Sequence, residues 1–207
     1  MIELKKYFPN LSQYQLEQFK SLVPIYKDWN SKVNLISRRD IENLFINHIL
    51  HSLSIVNIIK FKDSTSILDV GTGGGFPGIP LAIFFPNVKF TLLDSIGKKI
   101  KVVESVSKDL SLSNVTAIKD RVENHFEKYD FILSRAVAKS DKFYSLVNNN
   151  FNSKSINEIP NGIISLKGGD LNDELKHFKE KTIFDVSDFF SEDFFKTKRI
   201  VYVPFSN

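Results

Sequence analysis

The first sixty residues carry hydrophobic side chains at the three- to four-residue spacing of amphipathic helices. The spacing begins just after Ser12, a residue type that commonly caps helices. Pro24 predicts a kink or an interruption inside this first helix. A second helical pattern runs from Asp40 to Ile59. We therefore expect residues 1–60 to form a helical extension packed on the rest of the chain.

From Ser66 onward the pattern changes, and short apolar runs alternate with helical patterns. This alternation predicts an α/β fold built on an open, mostly parallel sheet, occupying residues 61–207. The predicted strands are 66–70, 88–93, 115–118, 130–134, 162–166 and 199–203, and the predicted helices begin at 79, 98 and 141.

A glycine-rich run, residues 69–78, follows directly from the first predicted strand. Open α/β sheets bind ligands at the carboxyl ends of their strands, and glycine lets the backbone turn sharply beneath a ligand. Gly73, Gly75 and Gly78 match the dinucleotide fingerprint G-x-G-x-x-G. A nicotinamide-dependent oxidoreductase is therefore one interpretation of the run.

A second frame places Asp69 before three evenly spaced glycines, Gly71, Gly73 and Gly75. This frame suits S-adenosylmethionine, because its amino-acid end offers an ammonium that an acid attracts. The same acid would repel a pyrophosphate, so Asp69 favours S-adenosylmethionine. Asp94 ends the second strand, where a carboxylate accepts hydrogen bonds from ribose hydroxyls in either cofactor.

Other candidate residues follow the later strands. Val122 and Glu123 lie where an adenine edge would sit, although a glutamate there is more often a helix cap or a surface acid. Arg135 suits a cofactor carboxylate, a phosphate or a guanine edge, and the sequence does not choose among them. Lys167 would suit an RNA phosphate or simply a solvated loop. Both basic residues are candidates for positioning a substrate.

Composition narrows the chemistry further. The chain of 207 residues is 42% hydrophobic, which is enough for a full core, and contains no cysteine, which excludes disulfides and thiolate nucleophiles. The net charge of +4 permits an anionic partner such as RNA without requiring one. The four histidines lack metal-ligand spacing, so we expect no metal site. No apolar run is long enough to span a membrane, which favours a cytoplasmic protein.

The absent residues also restrict the methyl acceptor. Carbon-5 methylation of pyrimidines requires a cysteine adduct, which this chain cannot form. Methylation of exocyclic amines usually relies on an Asn/Asp-Pro-Pro-aromatic element after the fourth strand, where this chain has residues 134–137, Ser-Arg-Ala-Val. A ring nitrogen such as guanine N7 already presents a lone pair and requires alignment without a general base.

The sequence resembles the RsmG family, also called glucose-inhibited division protein B, of small-subunit (16S) ribosomal RNA methyltransferases. The paired prolines within residues 69–82 are the most selective part of the match. Supporting motifs cover most of the chain: Trp29-Asn30, Asn34-Leu35, His48 with Ser52, Asp94-Ser95 with Lys98-Lys99, Arg121-Val122-Glu123, Ser134-Arg135-Ala136 and Leu166-Lys167-Gly168.

The resemblance implies a class I (Rossmann-like) S-adenosylmethionine-dependent methyltransferase sheet with an N-terminal helical extension. It also implies methyl transfer to guanine N7 of 16S ribosomal RNA, with naked RNA or an assembling 30S particle as substrate. We expect a monomer. By position it assigns cofactor contacts to Gly71, Phe76, Val122, Glu123 and Arg135, and the arguments above add Gly73, Gly75 and Asp94.

The chain departs from the family pattern at His51, where the family usually has aspartate. Any role of that carboxylate in ordering the helices or contacting RNA is therefore in question. Two alternatives to the methyltransferase stay open from the residues alone. One is the nicotinamide-dependent oxidoreductase, and the other is an RNA-binding scaffold with a vestigial cofactor pocket.

Overall fold

The computed structural model describes residues 2–135 and 140–205, which form one seven-stranded sheet with helices packed on it. The strands are β1 (Ser66–Val70), β2 (Lys89–Asp94), β3 (Val115–Lys119), β4 (Phe131–Arg135), β5 (Gly162–Gly168), β6 (Thr182–Asp185) and β7 (Lys198–Pro204). The α-helices are α1 (Ile2–Tyr7), α2 (Gln13–Lys32), α3 (Arg38–Glu42), α4 (His51–Leu53), α5 (Gly78–Phe84), α6 (Gly97–Asp109), α7 (Ser140–Val147) and α8 (Asn172–Leu175).

The strand order is β3-β2-β1-β4-β5-β7-β6, and β1 to β5 are parallel. Among the described strands, β7 alone has the opposite direction, and it pairs antiparallel with both β5 and β6. The chain therefore reverses its direction of strand addition between β1 and β4, which is where such sheets bind ligands. The predicted open, mostly parallel α/β sheet is confirmed.

Strand β6 was missed by the sequence analysis for a physical reason. It pairs only with β7, and its four residues are exposed or half-buried. An edge strand of this kind lacks the continuous apolar run that marks a buried parallel strand. The other strands were predicted to within a few residues, because most of them are largely buried and because the half-buried edge strand β3 keeps apolar residues at Val115, Ala117 and Ile118.

Helix α2 continues through Pro24, so the predicted interruption of the helix is wrong. Contacts in the first two turns, before the proline, stabilise the helix. Ser12 and Gln15 form a capping box at its start, with Gln15 N donating to Ser12 Oγ at 3.2 Å. Further along, Gln18 donates to the Leu110 carbonyl at 2.8 Å, which ties the helix to the loop after α6.

The region from Asp40 to Ile59 is helical, as its pattern predicted, but it is not one regular α-helix. The structure divides it into α3, a π-helix at Phe45–Leu50, α4 and a 3₁₀-helix at Ser54–Asn57. Ser52 Oγ donates to the His48 carbonyl at 2.6 Å, and Ser54 Oγ donates to the His51 carbonyl at 2.7 Å. Hydroxyl bonds of this kind compete with regular helical bonding and alter the local winding.

Two main hydrophobic clusters cover the sheet, and a small third cluster lies between α8 and β7. The larger one contains Phe19 and Tyr26 of α2 together with Leu92, Leu133 and Leu166 of the sheet. The smaller one, on the opposite face, packs α7 against residues such as Leu68 and Ile132. The N-terminal helices therefore share one core with the sheet, while a boundary at residue 60 stays a prediction. Among the described residues, the helices include none that is long and apolar enough to cross a membrane.

The close contact between β5 and β7 predicts a specific stability effect. A Cβ added at Gly162 would lie 2.4 Å from the Val203 carbonyl oxygen, whereas one at Gly168 in the same strand would lie 3.4 Å from its nearest atom. We expect Gly162→Ala to lower the free energy of unfolding by about 1–3 kcal/mol or more, since backbone must move. Gly168→Ala is the control, and urea unfolding monitored by circular dichroism measures both. Equal stability of the two variants would contradict the expectation.

Candidate active site at the carboxyl edge of the sheet

The glycine-rich run forms a loop between β1 and α5 at the carboxyl edge of the sheet. Gly71, Gly73 and Gly75 have φ angles of 67°, 61° and 99°, which side-chain-bearing residues rarely adopt. The amide of Thr72 donates to the Leu93 carbonyl at 3.0 Å, so the loop is attached to the end of β2. The chain turns back on itself here and presents main chain at the strand ends.

Asp69 lies fully buried beneath this loop. Its Oδ2 accepts hydrogen bonds from Thr72 Oγ1 at 2.7 Å and from the Gly78 amide at 2.9 Å. Burial raises the pKa of the carboxyl to about 6, and these two hydrogen bonds oppose the shift. Oδ1 has no hydrogen-bond partner among the described residues. Asp69 therefore fixes the two ends of the loop, which the sequence did not predict. The predicted attraction between Asp69 and the ammonium of the cofactor stays a prediction.

Asp94 holds the loop from the side. At the end of β2 its Oδ2 accepts the Gly73 amide at 3.0 Å, and its Oδ1 accepts the Ile96 amide at 2.9 Å. Lys99 Nζ lies 3.6 Å from Oδ2. Each carboxylate oxygen has two lone pairs, so both oxygens keep capacity for one further donor. The structure thus brings Asp94 and Gly73 together, and the contact of Asp94 with a ribose stays a prediction.

Phe76 anchors the middle of the site. Its ring is buried, with its centroid 4.7 Å from that of Tyr26 and 5.3 Å from that of His48. The Arg135 guanidinium carbon lies 5.3 Å from the same ring centroid, within the range of a cation–π contact. Phe76 therefore joins the N-terminal helices to the end of β4.

Arg135 is not an ordinary surface arginine. Burial lowers the pKa of its guanidinium to about 10, and nearby Asp69 opposes that shift. The side chain remains charged at neutral pH and faces the layer that contains Asp69, Tyr26 and Phe76. A half-buried cation at the end of a central strand suits an anionic ligand group. Which of its three predicted ligands it contacts stays open, and its neighbours Ala136 and Val137 lie outside the described residues.

Val122 and Glu123 begin a short 3₁₀-helix, Val122–Asn124, beyond the end of β3. Val122 is half-buried and Glu123 is exposed. At the end of the neighbouring strand β2, Ile96 is 48% exposed, an unusual amount for a large apolar side chain. The carboxyl ends of β2 and β3 therefore offer both apolar and acidic surface where an adenine was predicted.

Lys167 has a partner within the protein. Its Nζ lies 2.8 Å from Glu174 Oε1, and its side chain is only 12% exposed. The predicted contact with an RNA phosphate would have to compete with this ion pair, and it stays a prediction. Two further basic residues near the C-terminal strand, Lys196 and Arg199, also have acidic partners, Asp193 and Asp185.

Tyr26 and His48 are site residues that the sequence analysis did not identify. Tyr26 is fully buried in the core, and its hydroxyl also donates to the Gly74 carbonyl at 2.6 Å. The sequence signal was a hydroxyl-bearing residue on an apolar helix face, since a buried tyrosine hydroxyl usually requires an acceptor. His48 stood out only as part of a family motif, and only the fold shows its contact with Phe76.

His51, the departure from the family pattern, is buried against the aromatic end of the chain. Its ring makes an edge contact with Phe194 at 5.6 Å, and its Nε2 has no hydrogen-bond partner among the described residues. Burial, followed by the positive charge of Arg135, lowers the pKa of His51 to about 3. Burial likewise lowers the pKa of His48 to about 3. Both rings are neutral in the folded protein at neutral pH.

These depressed pKa values predict acid sensitivity. Between pH 6.5 and 3 the unfolded chain protonates each histidine and the folded chain does not, so stability falls as the pH is lowered. The raised pKa of Asp69 acts in the opposite direction between pH 4 and 6. We expect His51→Leu to lose less stability on acidification than the parent, by about 1.4 kcal/mol per pH unit below pH 6. Parallel curves of unfolding free energy against pH would contradict this assignment.

The loop geometry predicts opposite outcomes at adjacent glycines. A Cβ at Gly75 would lie 2.6 Å from Ile79 Cγ1, in addition to the strain of its positive φ. A Cβ at Gly74 would lie 3.6 Å or more from every neighbour. We expect Gly75→Ala to cost about 1–3 kcal/mol of stability and to weaken S-adenosylmethionine binding at least tenfold. Gly74→Ala, the matched control, should bind within about twofold of the parent in calorimetry. Similar affinities for the two variants would contradict the loop's role.

The residues present fit S-adenosylmethionine. Among the described residues other than its chain neighbours, a Cβ at Gly73 would have only the Gly71 carbonyl within 4.0 Å, so these residues leave space there that a ligand can fill. Asp94 has acceptor capacity beside that space for two hydroxyls. Asp69 and Arg135 place one acidic and one basic group at the same end of the sheet. The amino-acid end of S-adenosylmethionine carries both complementary charges.

Comparison with solved structures agrees with the fold. An S-adenosylmethionine-dependent methyltransferase from Aquifex aeolicus superposes with a TM-score of 0.60 over 83% of this chain and 100% of that one, at 15% identity. A precorrin-6y C5,15-methyltransferase from Geobacter metallireducens superposes with a TM-score of 0.55 over 83% of this chain and 91% of its own, at 12% identity. The chain thus has the Rossmann-like methyltransferase fold that the sequence predicted.

Sequence comparison is more specific. The family described as rRNA small subunit methyltransferase G (GidB) matches residues 15–201. The chain is 55% identical to the ribosomal RNA small subunit methyltransferase G of Christiangramia forsetii, over 97% of this chain and 95% of that protein. It is 50% identical to the protein of the same name from Flavobacterium johnsoniae, over 99% and 98% of the two chains. The chain belongs to the rRNA small subunit methyltransferase G family, the family whose motifs its own sequence carries.

Proposed function

We propose that this enzyme transfers a methyl group from S-adenosylmethionine to N7 of a guanine in small-subunit (16S) ribosomal RNA. The observation that carries the proposal is the glycine loop, which is fixed by Asp69 below and by Asp94 at its side in a chain of this family. Membership of the family does not favour the nicotinamide-dependent oxidoreductase or the RNA-binding scaffold.

Each part of the cofactor has a matching residue in the proposal. Asp94 would accept the ribose hydroxyls, and the main chain of Gly71, Gly73 and Gly75 would lie against the cofactor's body. Arg135 would face the carboxylate. Val122 and Glu123 would border the adenine, and Phe76 would support the loop from beneath. When bound, S-adenosylmethionine supplies an electrophilic methyl group on a positively charged sulfur.

The acceptor chemistry requires little acid–base work from the protein. Guanine N7 has a lone pair and loses no proton on methylation, so no general base has to lie beside it. The protein's contribution is to align N7 with the methyl–sulfur bond and to exclude water from the reacting atoms. Positive charge passes from the sulfur to the base, so the net charge of the site stays constant during transfer. The buried Asp69 and the half-buried Arg135 carry opposite charges that balance, and such an environment suits this reaction.

Further parts of the proposal concern the setting of the reaction. The RNA partner is naked small-subunit RNA or an assembling 30S particle, and Arg135 and Lys167 are candidates for positioning it. We also propose that the enzyme acts in the cytoplasm as a monomer. Residues 1–60 would serve as a helical extension that supports the cofactor loop of the domain at 61–207.

A labelled-methyl assay tests the proposal. We expect methyl-labelled S-adenosylmethionine to transfer label to 16S RNA or 30S particles from cells that lack the modification. The product RNA should carry N7-methylguanine. Treatment with borohydride and then aniline should therefore cleave the RNA chain at the modified nucleotide. Absence of label from guanine N7 with both substrates would contradict the proposal.

A base analogue provides the matched control. RNA containing 7-deazaguanine has a C–H group where N7 would accept the methyl, while its Watson–Crick edge is unchanged. This RNA should bind normally and accept no label. Labelling of the deaza substrate would show that the acceptor atom is elsewhere on the RNA.

A further inference from the structure

The glycine-rich loop between β1 and α5, called the cofactor loop below, has a second support, which comes from the N-terminal helices. Tyr26 lies in the middle of α2, within the N-terminal helical region, and its hydroxyl donates to the Gly74 carbonyl at 2.6 Å. The side chain is completely buried, so water cannot replace this bond. The contact therefore joins two segments that are far apart in the sequence at the centre of the candidate site.

The bond is placed to control the shape of the loop. The amide of Gly73 is fixed on one side by Asp94 at 3.0 Å, and the carbonyl of Gly74 is fixed on the other by Tyr26. Two glycines in succession have more conformational freedom than any other pair of residues. With both peptide groups held, the loop has few alternative conformations even without a ligand.

The ring of Tyr26 adds shape to this support. It packs against Phe76 with centroids 4.7 Å apart, and its hydroxyl would be only 3.1 Å from a Cβ at Gly75. Gly74 lies against both Tyr26 and Leu35, whose atoms would be 3.6–3.7 Å from an added Cβ. The N-terminal helices thus form the rear wall of the loop, and Asp94 forms its side.

From these contacts we propose that Tyr26 is a positioning residue for S-adenosylmethionine: its hydroxyl pre-orders the Gly73–Gly74 peptides for the cofactor. Ordering a flexible loop on binding costs affinity, and pre-ordering removes that cost. The proposal rests on S-adenosylmethionine being the cofactor. It adds that the N-terminal helices contribute to cofactor affinity without touching the cofactor.

Two tyrosine variants separate positioning from stability. Tyr26→Phe removes the hydroxyl and leaves the ring. Tyr202→Phe makes the same change at a tyrosine on β7 whose hydroxyl donates to the Pro160 carbonyl at 2.7 Å. Both variants lose one hydrogen bond to a backbone carbonyl, so both should unfold at a slightly lower temperature. Only Tyr26→Phe should weaken S-adenosylmethionine binding, by about three- to tenfold in titration calorimetry.

A loop variant gives a further readout that a merely structural tyrosine would not affect. Gly74→Ala introduces no steric clash. It restricts the loop, because alanine has fewer backbone conformations than glycine. Combined with Tyr26→Phe, it should recover part of the lost affinity. The kcat at saturating S-adenosylmethionine should stay within about twofold of the parent in all these variants, with the change confined to KM.

Several results would overturn the proposal. They are binding by Tyr26→Phe within twofold of the parent, equal weakening by Tyr202→Phe, and failure of Gly74→Ala to recover affinity. A Tyr26→Phe chain that does not fold at any temperature would also overturn it, since a hydroxyl that only positions the loop is not required for folding. Failure of the parent itself to bind S-adenosylmethionine would instead contradict the proposed function.

Discussion

The buried carboxylate of Asp69 is the interaction on which the rest of the site depends. A single oxygen accepts the Thr72 hydroxyl and the Gly78 amide, which lie at opposite ends of the loop. Without that acceptor the Gly78 amide, at the start of α5, would be a buried donor with no partner among the described residues, which costs more than an exposed one. The glycines with positive φ angles therefore allow the chain to turn, and the hydrogen bonds to Asp69 fix the position of the turn.

The sheet was predictable because its signals are local. The five parallel strands are short apolar runs in the sequence. The glycines directly follow β1, and Asp94 is the last residue of β2. Their meeting at one edge follows from parallel pairing alone, since all carboxyl ends then point the same way. The exposed strand β6 and the broken helix after Asp40 escaped prediction because packing and hydroxyl bonding, not periodicity, determine them.

The N-terminal half of the site could not be predicted, because it depends on contacts between distant segments. Nothing in the order of residues places Tyr26 against Gly74, or His48 against Phe76. These contacts arise because α2 and the π-helix cover the same face of the sheet on which Phe76 lies. The sequence predicts the first sixty residues to be a helical extension. In the fold they also pack against the glycine-rich loop, through Tyr26.

The charge arrangement explains why this edge suits a zwitterionic ligand better than a pyrophosphate. Asp69 and Arg135 lie in the same poorly solvated layer, and each stabilises the charged form of the other against the cost of burial. A pyrophosphate would add negative charges to a layer that already contains the Asp69 carboxylate. A group with one ammonium and one carboxylate leaves the total unchanged and complements both residues. The same glycine run that formally matches a dinucleotide fingerprint therefore stands in an electrostatic setting that favours S-adenosylmethionine.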